Sequence, residues 1–432
     1  MIIAFSFITL ALLIKDTVPI GDVYVLRTLS QGTAFIIGLW WLFTQGGMEA
    51  LRKYWLLGAY IVVLSGTVFV SNDAMRVALQ VISLLAVSLF FVSFSERAAR
   101  EPITHLQVLR IVMCALLLVC VGSLILYKIA PTLAYDQTVE RLAWDNVHRF
   151  KGLFGKPAGI AAVSGILLGL CVFTRVHWVI RGLGAVAALL CLYLTLSRSF
   201  WVGAFVALMV TGAFYIPRKR ALVVIGVLGL ILGIGVVSLM GTKVPAMEES
   251  KVLRSDSLEN LSGRTTVWSL AIDRFWDRPV LGYGYTAGHH ALLQSKGKDD
   301  GEISIEQVGL FQNENFSFHS GYVQALVDSG ILGAFFYVMI MVVSIWQIIR
   351  YDSERQYPGI LYCLVFLSIS NLGETIVFSP ATFQSAFYWY AATVALGLGS
   401  PRPQPDSVEE PVVAVSPEFG HTRYPLLCRP DH

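Results

Sequence analysis

Residues 157–216 read PAGIAAVSGILLGLCVFT, RVH, WVIRGLGAVAALLCLYLTL, SR and SFWVGAFVALMVTGAFYI in succession. Three apolar runs, each close to the roughly 20 residues that carry a helix across a bilayer, follow one another with almost nothing between them. In lipid a helix satisfies its backbone polar groups internally, so runs of this kind predict spanning helices. The second break, Thr195-Leu196-Ser197-Arg198-Ser199, is a very tight hairpin that places an arginine between two apolar spans.

The same window, moved outward in both directions, gives about twelve spans. They lie near 1–14, 23–45, 54–71, 74–95, 105–130, 157–174, 178–196, 199–216, 221–241, 319–349, 358–378 and 383–399. The stretch 1–14 has neither a basic n-region nor a small-residue cleavage site, and it reads as a short first span. Composition agrees with this layout. Of the 432 residues 55% are hydrophobic and only 14% are charged, against about 25% charged in a soluble domain. The expected fold is therefore an all-α integral membrane protein.

A net charge of +3 gives no reason to expect a nucleic-acid partner; the expected surroundings are membrane lipids. The six cysteines are Cys114, Cys120, Cys171, Cys191, Cys363 and Cys428. None forms a CxxC pair, five sit in apolar stretches, and no disulfide framework is expected.

Short loops set the orientation. Alternate connections carry Arg52 and Lys53, Arg97 and Arg100, Arg175 and Arg181, Arg218, Lys219 and Arg220, then Arg350 and Arg355. The positive-inside rule places these, and both termini, in the cytoplasm. Two longer loops, near Pro131–Lys156 and Thr242–Phe318, fall on the other side. The chain then divides into membrane helices over 1–130, and helices with a loop at 131–156 over 131–241. A large periplasmic loop over 242–318 contains amphipathic helix, closing helices cover 319–399, and a proline-rich cytoplasmic tail expected to be disordered occupies 400–432.

The outer side collects basic residues that the rule does not demand. Arg149 and Lys151 precede the sixth span, Arg198 sits in the hairpin, and Arg264 opens a helix in the large loop. Guanidinium groups at a low-dielectric boundary are costly unless they meet anions, and several on one face suit a diphosphate. The ordinary alternatives are snorkelling to headgroups for Arg198 and plain loop charge for Arg149 and Lys151.

Val267, Leu270, Ala271 and Phe275 recur at helical spacing after Arg264. Ser262 is the N-cap candidate and Pro279 the stop. Arg264 then opposes the helix dipole in the first turn, which is relieved when an anion binds there. Arg274 and Arg278 suit the helix C-terminus. Gly282-Tyr283-Gly284 permits a tight turn and nothing more. His289-His290 lacks ligand partners at suitable spacing, so a metal site is not expected.

His319 stands at the start of the tenth span, where an imidazole near arginines is a general-base candidate; marking a helix start is its plainer reading. Tyr322, one turn on, is a supporting candidate. Asp328 lies about 180° around the helix from His319 and is expected to bond a neighbouring helix. Glu374, with Asn371 near the outer end of the eleventh span, is placed to pair with an arginine or to orient the base.

Ser197-Arg198, Gly263-Arg264-Thr265-Thr266-Val267-Trp268, Gly282-Tyr283-Gly284 and His319 through Gly330-Ile331-Leu332-Gly333 occur in this order. The set, over roughly Arg149 to Phe378, resembles the O-antigen ligase and polymerase superfamily of bacterial inner membranes. The resemblance implies a transferase that takes a glycan from an undecaprenyl-diphosphate-linked donor to a lipid A–core sugar hydroxyl, in lipopolysaccharide biosynthesis. It implies donor-diphosphate contacts at Arg198 and Arg264, acceptor activation at His319, and no metal or nucleotide cofactor. Where relatives often carry Asn-Pro-Asn before the sixth span, this chain has Gly155-Lys156-Pro157-Ala158. A polymerase joining lipid-linked repeats shares this donor chemistry, and a polysaccharide-lipid transporter is the non-enzyme alternative. A transport pathway predicts charges at mid-membrane, whereas these polar groups collect at the outer boundary.

Overall fold

A computed structural model describes residues 2–17, 23–44, 52–100, 102–136, 149–215, 264–288, 318–353, 355–378 and 382–399. Among these residues the only regular structure is helical, apart from one antiparallel bridge between Tyr135 and Phe150. The helices are α1 (Ile2–Thr17), α2 (Val23–Thr44), α3 (Trp55–Thr67), α4 (Ala74–Arg100), α5 (Pro102–Ile129) and α6 (Pro131–Ala134). They continue as α7 (Pro157–Phe173), α8 (Trp178–Thr195), α9 (Arg198–Tyr215), α10 (Arg264–Asp277), α11 (Gly321–Tyr351), α12 (Pro358–Ser370) and α13 (Phe383–Leu398).

Every expected span except 221–241, which lies outside the described residues, coincides with a helix. Five stretches are by themselves long and apolar enough to cross a membrane: Ala74–Ala98, Thr104–Ile129, Trp178–Thr195, Arg198–Tyr215 and Gly321–Tyr351. Large apolar side chains point both inward and outward on these helices, as in Leu118, Leu183, Val202 and Phe335, which are exposed. A helix apolar all round belongs in lipid, and the chain is a membrane protein.

The bundle is held by small residues that let helices approach closely. A side chain at Gly165 or Gly169 of α7 would collide with the rings of Phe366 and Tyr362 on α12. Packing of this kind replaces the hydrophobic drive that lipid does not supply. Gly203 of α9 likewise lies against Ser370 at the end of α12, while Tyr215, at the far end of α9, hydrogen-bonds Asp352 just before α12. The α9–α12 pair is therefore antiparallel.

The same logic sorts the termini into two ends. At one end Lys53 pairs with Glu96 at 3.1 Å, Arg110 donates to the Arg175 carbonyl, and Arg181 donates to the carbonyls of Cys171 and Val172. At the other end lie the α8–α9 hairpin, residues 149–156, α10 and the starts of α11 and α13. The basic set that governs the expected orientation and the candidate site set thus occupy opposite ends.

Two helices differ from expectation. The eleventh span was expected to reach Phe378, but α12 stops at Ser370. Asn371 accepts the Ile376 and Val377 N–H groups on its side-chain oxygen at 3.3 Å each, and the chain folds back. In α11 the helix breaks at Gly330, whose φ of +64° and ψ of −170° are open only to glycine. Cys114, Cys120, Cys171, Cys191 and Cys363 are unbridged. The loop segments 242–263 and 289–317, His289-His290 and the tail 400–432 lie outside the described residues.

Candidate active site

The site begins with the way α11 starts. Ser320 is extended and its hydroxyl accepts the Val323 N–H at 3.5 Å, a side-chain N-cap. His319, just before it, has φ of +52°. This left-handed conformation costs an L-residue about 1 kcal/mol or more, so it persists only where neighbours fix it. On one side Phe318 is fully buried against Ala271 of α10 and Val327 of α11, and its carbonyl accepts the Trp268 indole N–H at 2.8 Å. On the other side the Gly321 N–H donates to the Asn371 carbonyl at 2.9 Å.

That clamp aims the imidazole. The His319 side chain is 41% exposed, yet its Nδ1 is turned inward, 3.7 Å from Glu374 Oε2. The separation exceeds a normal hydrogen bond and fits an ion pair when the ring is protonated. Glu374 is held by the turn after α12, where its N–H donates to the Ser370 carbonyl at 3.1 Å and its side chain is 15% exposed. Asn371 ties the turn to α11: its Nδ2 donates to the buried Tyr337 hydroxyl at 2.9 Å. A carboxylate set beside an imidazole nitrogen favours the protonated ring, so Glu374 is placed to orient His319 and to stabilise its charge.

Of the other expected residues, Arg198 is exposed as the first residue of α9. The hairpin before it turns through Leu196, whose φ of +51° caps α8. The antiparallel α9–α12 pair puts Arg198 at the same end as Glu374. Arg149 and Lys151 are half-buried on a segment pinned to α6 and the residues that follow it. There the Asp136 N–H donates to the Arg149 carbonyl at 2.8 Å, and the Lys151 N–H to the Ala134 carbonyl at 2.9 Å. Phe150 between them is fully buried against Tyr127 and Tyr135. Arg264 opens α10 as expected, with its side chain outside the description. Tyr322 faces inward: its hydroxyl donates to the Ser368 carbonyl at 2.9 Å and lies 3.2 Å from Met341 Sδ. The structure thus joins His319 to Glu374 directly and gathers the basic candidates at their end.

The segment after α10 is shaped by its glycines. Gly282 and Gly284 have φ of +65° and +116°, and the backbone there docks into the break of α11. Tyr283 and Gly284 N–H groups donate to the carbonyls of Val327 and Asp328, and the Ile331 N–H returns to the Pro279 carbonyl at 2.8 Å. A side chain at Gly330 would run into the Val280 carbonyl. Asp328 is fully buried and bonds this turn, not a neighbouring span as expected. It accepts from Thr286 N–H at 2.9 Å, Gly288 N–H at 2.8 Å and Gln324 Nε2 at 2.6 Å. Arg278 serves structure, donating to the Val70 carbonyl at 2.6 Å and lying over the Tyr283 ring. Burial, with Asp277 beside it, pushes the Tyr283 hydroxyl above its ordinary pKa, so it stays a donor, here to the Arg274 carbonyl at 3.1 Å.

Residues 183–338 match the family described as O-antigen ligase. That match, over rather more than a third of the chain, supports the resemblance to the O-antigen ligase and polymerase superfamily. The family stretch runs from α8 into α11 and takes in Arg198, Arg264, His319 and Tyr322, while Arg149, Lys151 and Glu374 fall outside it. The chain is also 28% identical over 99 residues to the exopolysaccharide production protein ExoQ of Rhizobium meliloti (strain 1021). That similarity covers 23% of this chain and 22% of ExoQ. The sequence singles out His319 and Glu374 separately; Trp268 stands in the quoted motif and Asn371 beside Glu374, but neither carries a charge that would mark it as the residue holding the site in place.

Proposed function

We propose that the chain is a ligase-type glycosyltransferase of the bacterial inner membrane. It moves a glycan from undecaprenyl diphosphate to a sugar hydroxyl of lipid A–core on the periplasmic face. The observation that carries this reading is the His319–Glu374 pair, 3.7 Å apart, at the bundle end that also holds Arg198 and the start of α10. The family resemblance suggests the substrate class. In this reading the chain crosses the membrane about twelve times, with both termini cytoplasmic and the loop 242–318 periplasmic. Segregation of Lys53, Arg175 and Arg181 to the opposite end supports that orientation.

The acceptor hydroxyl oxygen attacks the anomeric carbon of the donor sugar as the carbon–oxygen bond to the diphosphate breaks, and the diphosphate leaves with the bonding pair. The proton of the hydroxyl passes to the outward ring nitrogen of His319, and from there to water. Glu374 stabilises the imidazolium that forms. A single displacement inverts the anomeric centre. Arg198 and Arg264 hold the negative charge that develops on the leaving diphosphate, where fixed cations in a low-dielectric setting act without reorganising. Arg149 and Lys151 extend the same basic surface.

The similarity to ExoQ favours a second reading in which the glycan is an exopolysaccharide and the acceptor a second lipid-linked repeat. One experiment separates the two. Purified protein is incubated with undecaprenyl-diphosphate glycan and either lipid A–core or further donor, and products are sized on a gel. A single addition to lipid A–core supports the ligase, and a ladder of growing chains supports the polymerase. Arg198→Ala and Arg264→Ala are expected to abolish product while inserting normally. Absence of product with either acceptor, from well-folded wild-type protein, overturns both and favours a transporter.

A further inference from the structure

Four features of the family-like stretch have no part in the chemistry above: Trp268, the Gly282–Gly284 turn, the break at Gly330, and Asp328. In space they belong together. Trp268 lies one helical turn after Arg264 on α10, and its indole N–H donates to the Phe318 carbonyl at 2.8 Å. Phe318 is the residue before His319, and its side chain fills the space between Ala271 of α10 and Val327 of α11. Beyond α10, the Gly282–Gly284 turn docks by backbone hydrogen bonds into the break of α11, and Asp328 holds its continuation at Thr286 and Gly288. The helix that begins with Arg264 is therefore fastened to the start of α11 at both of its ends.

We propose that Trp268 is a positioning residue that couples the donor-holding helix to His319. It rests on the transferase reading above. His319 is held at φ of +52°, a conformation that relaxes unless the chain is fixed on both sides of it. Trp268 fixes the peptide immediately before it, at the Phe318 carbonyl, and Asn371 fixes the chain one peptide further on, at the Gly321 N–H. Only the first anchor comes from α10. A displacement of α10 when a diphosphate engages Arg264 is transmitted by the indole to the peptide that sets the imidazole. Donor binding and base placement then act as one event. The short spacing of Arg264 and Trp268 on a single helix follows from this requirement: about one turn of rigid helix separates the charge from the strut.

The test uses full-length protein in nanodiscs and two independent readings. Trp268→Phe keeps an aromatic ring and removes the donor; Trp268→Leu does the same without the ring, should the first variant fold poorly; Trp268→His restores a ring N–H. Hydrogen exchange across residues 318–323 is expected to rise about tenfold in the Phe and Leu variants, the loss of one modest hydrogen bond. In the transfer assay kcat is expected to fall about tenfold with the donor KM within about twofold, and Trp268→His to recover part of the loss. Exchange and kcat both at wild-type values in Trp268→Phe would overturn the proposal, as would an equal loss in Trp268→His. Lack of transfer by wild-type protein sinks the transferase reading instead, and the exchange measurement still decides whether Trp268 clamps His319.

Discussion

Asp328→Ala isolates the contact that holds the loop segment after α10 to the membrane bundle. The carboxylate is fully buried and accepts three hydrogen bonds, at 2.9 Å from Thr286 N–H, 2.8 Å from Gly288 N–H and 2.6 Å from Gln324 Nε2. Gln324 sits one turn away on the same helix and has rotamers with which to find another partner. The two backbone N–H groups belong to a fixed turn, and Thr286 is itself held at φ of +63°. Leaving a buried donor without a partner costs about 1–3 kcal/mol. Two such groups lower the closing free energy of the turn by about 2–6 kcal/mol, which is about 30- to 25,000-fold in its opening equilibrium. Hydrogen exchange read on peptides covering 279–288 measures that ratio directly. Asp328→Asn keeps one acceptor oxygen and is expected to show an intermediate increase. The Gly284 N–H bond to the Asp328 carbonyl at 2.9 Å is backbone and survives both changes, so opening should be confined to 285–288. Exchange within about threefold of wild type in Asp328→Ala would refute the reasoning, because it would mean that the carboxylate contributes little to closing the turn.

Gly330→Ala is expected to lower the melting temperature measurably, since φ of +64° with ψ of −170° costs a side chain about 1–3 kcal/mol before its collision with the Val280 carbonyl is counted. An unshifted melt would show that α11 closes its break at no cost. His319→Ala is expected to lower the transfer rate about 10²- to 10⁴-fold, the usual worth of a general base, and Glu374→Gln to lower it less. Wild-type rates in the first, measured as product per minute, would remove the imidazole from the mechanism. Lys156→Cys and Arg355→Cys, each in a protein lacking Cys114 and Cys428, report sidedness through a membrane-impermeant maleimide. In spheroplasts the first should label at once and the second only after permeabilisation, and equal labelling of both would reverse or abolish the assigned topology.

How much of this was legible in the sequence varies from residue to residue for physical reasons. Spanning helices were legible because a bilayer demands about 20 apolar residues for each crossing, a local property that a short window detects. The separation of basic residues into two ends followed from the same walk. So did α10, whose apolar spacing and terminal Pro279 placed it correctly, and Arg278, whose place at the helix end needed no catalytic explanation. The expected end of the eleventh span failed because Asn371 stops α12 through hydrogen bonds to residues several positions ahead, which hydropathy does not register. Asp328 was expected to meet another span and instead caps the Gly288 turn, a partner 40 residues away along the chain.

By itself the sequence determined the membrane class, the helices and the clustering of basic residues outside the short basic loops, because each depends on composition within a few turns of the chain. Only the tertiary structure decided which of those residues act together. The approach of Glu374 to His319, the clamp of Trp268 on Phe318 and the seat of the glycine turn in the break of α11 all join segments far apart in sequence. Such contacts depend on how helices pack side by side, and no local pattern encodes that.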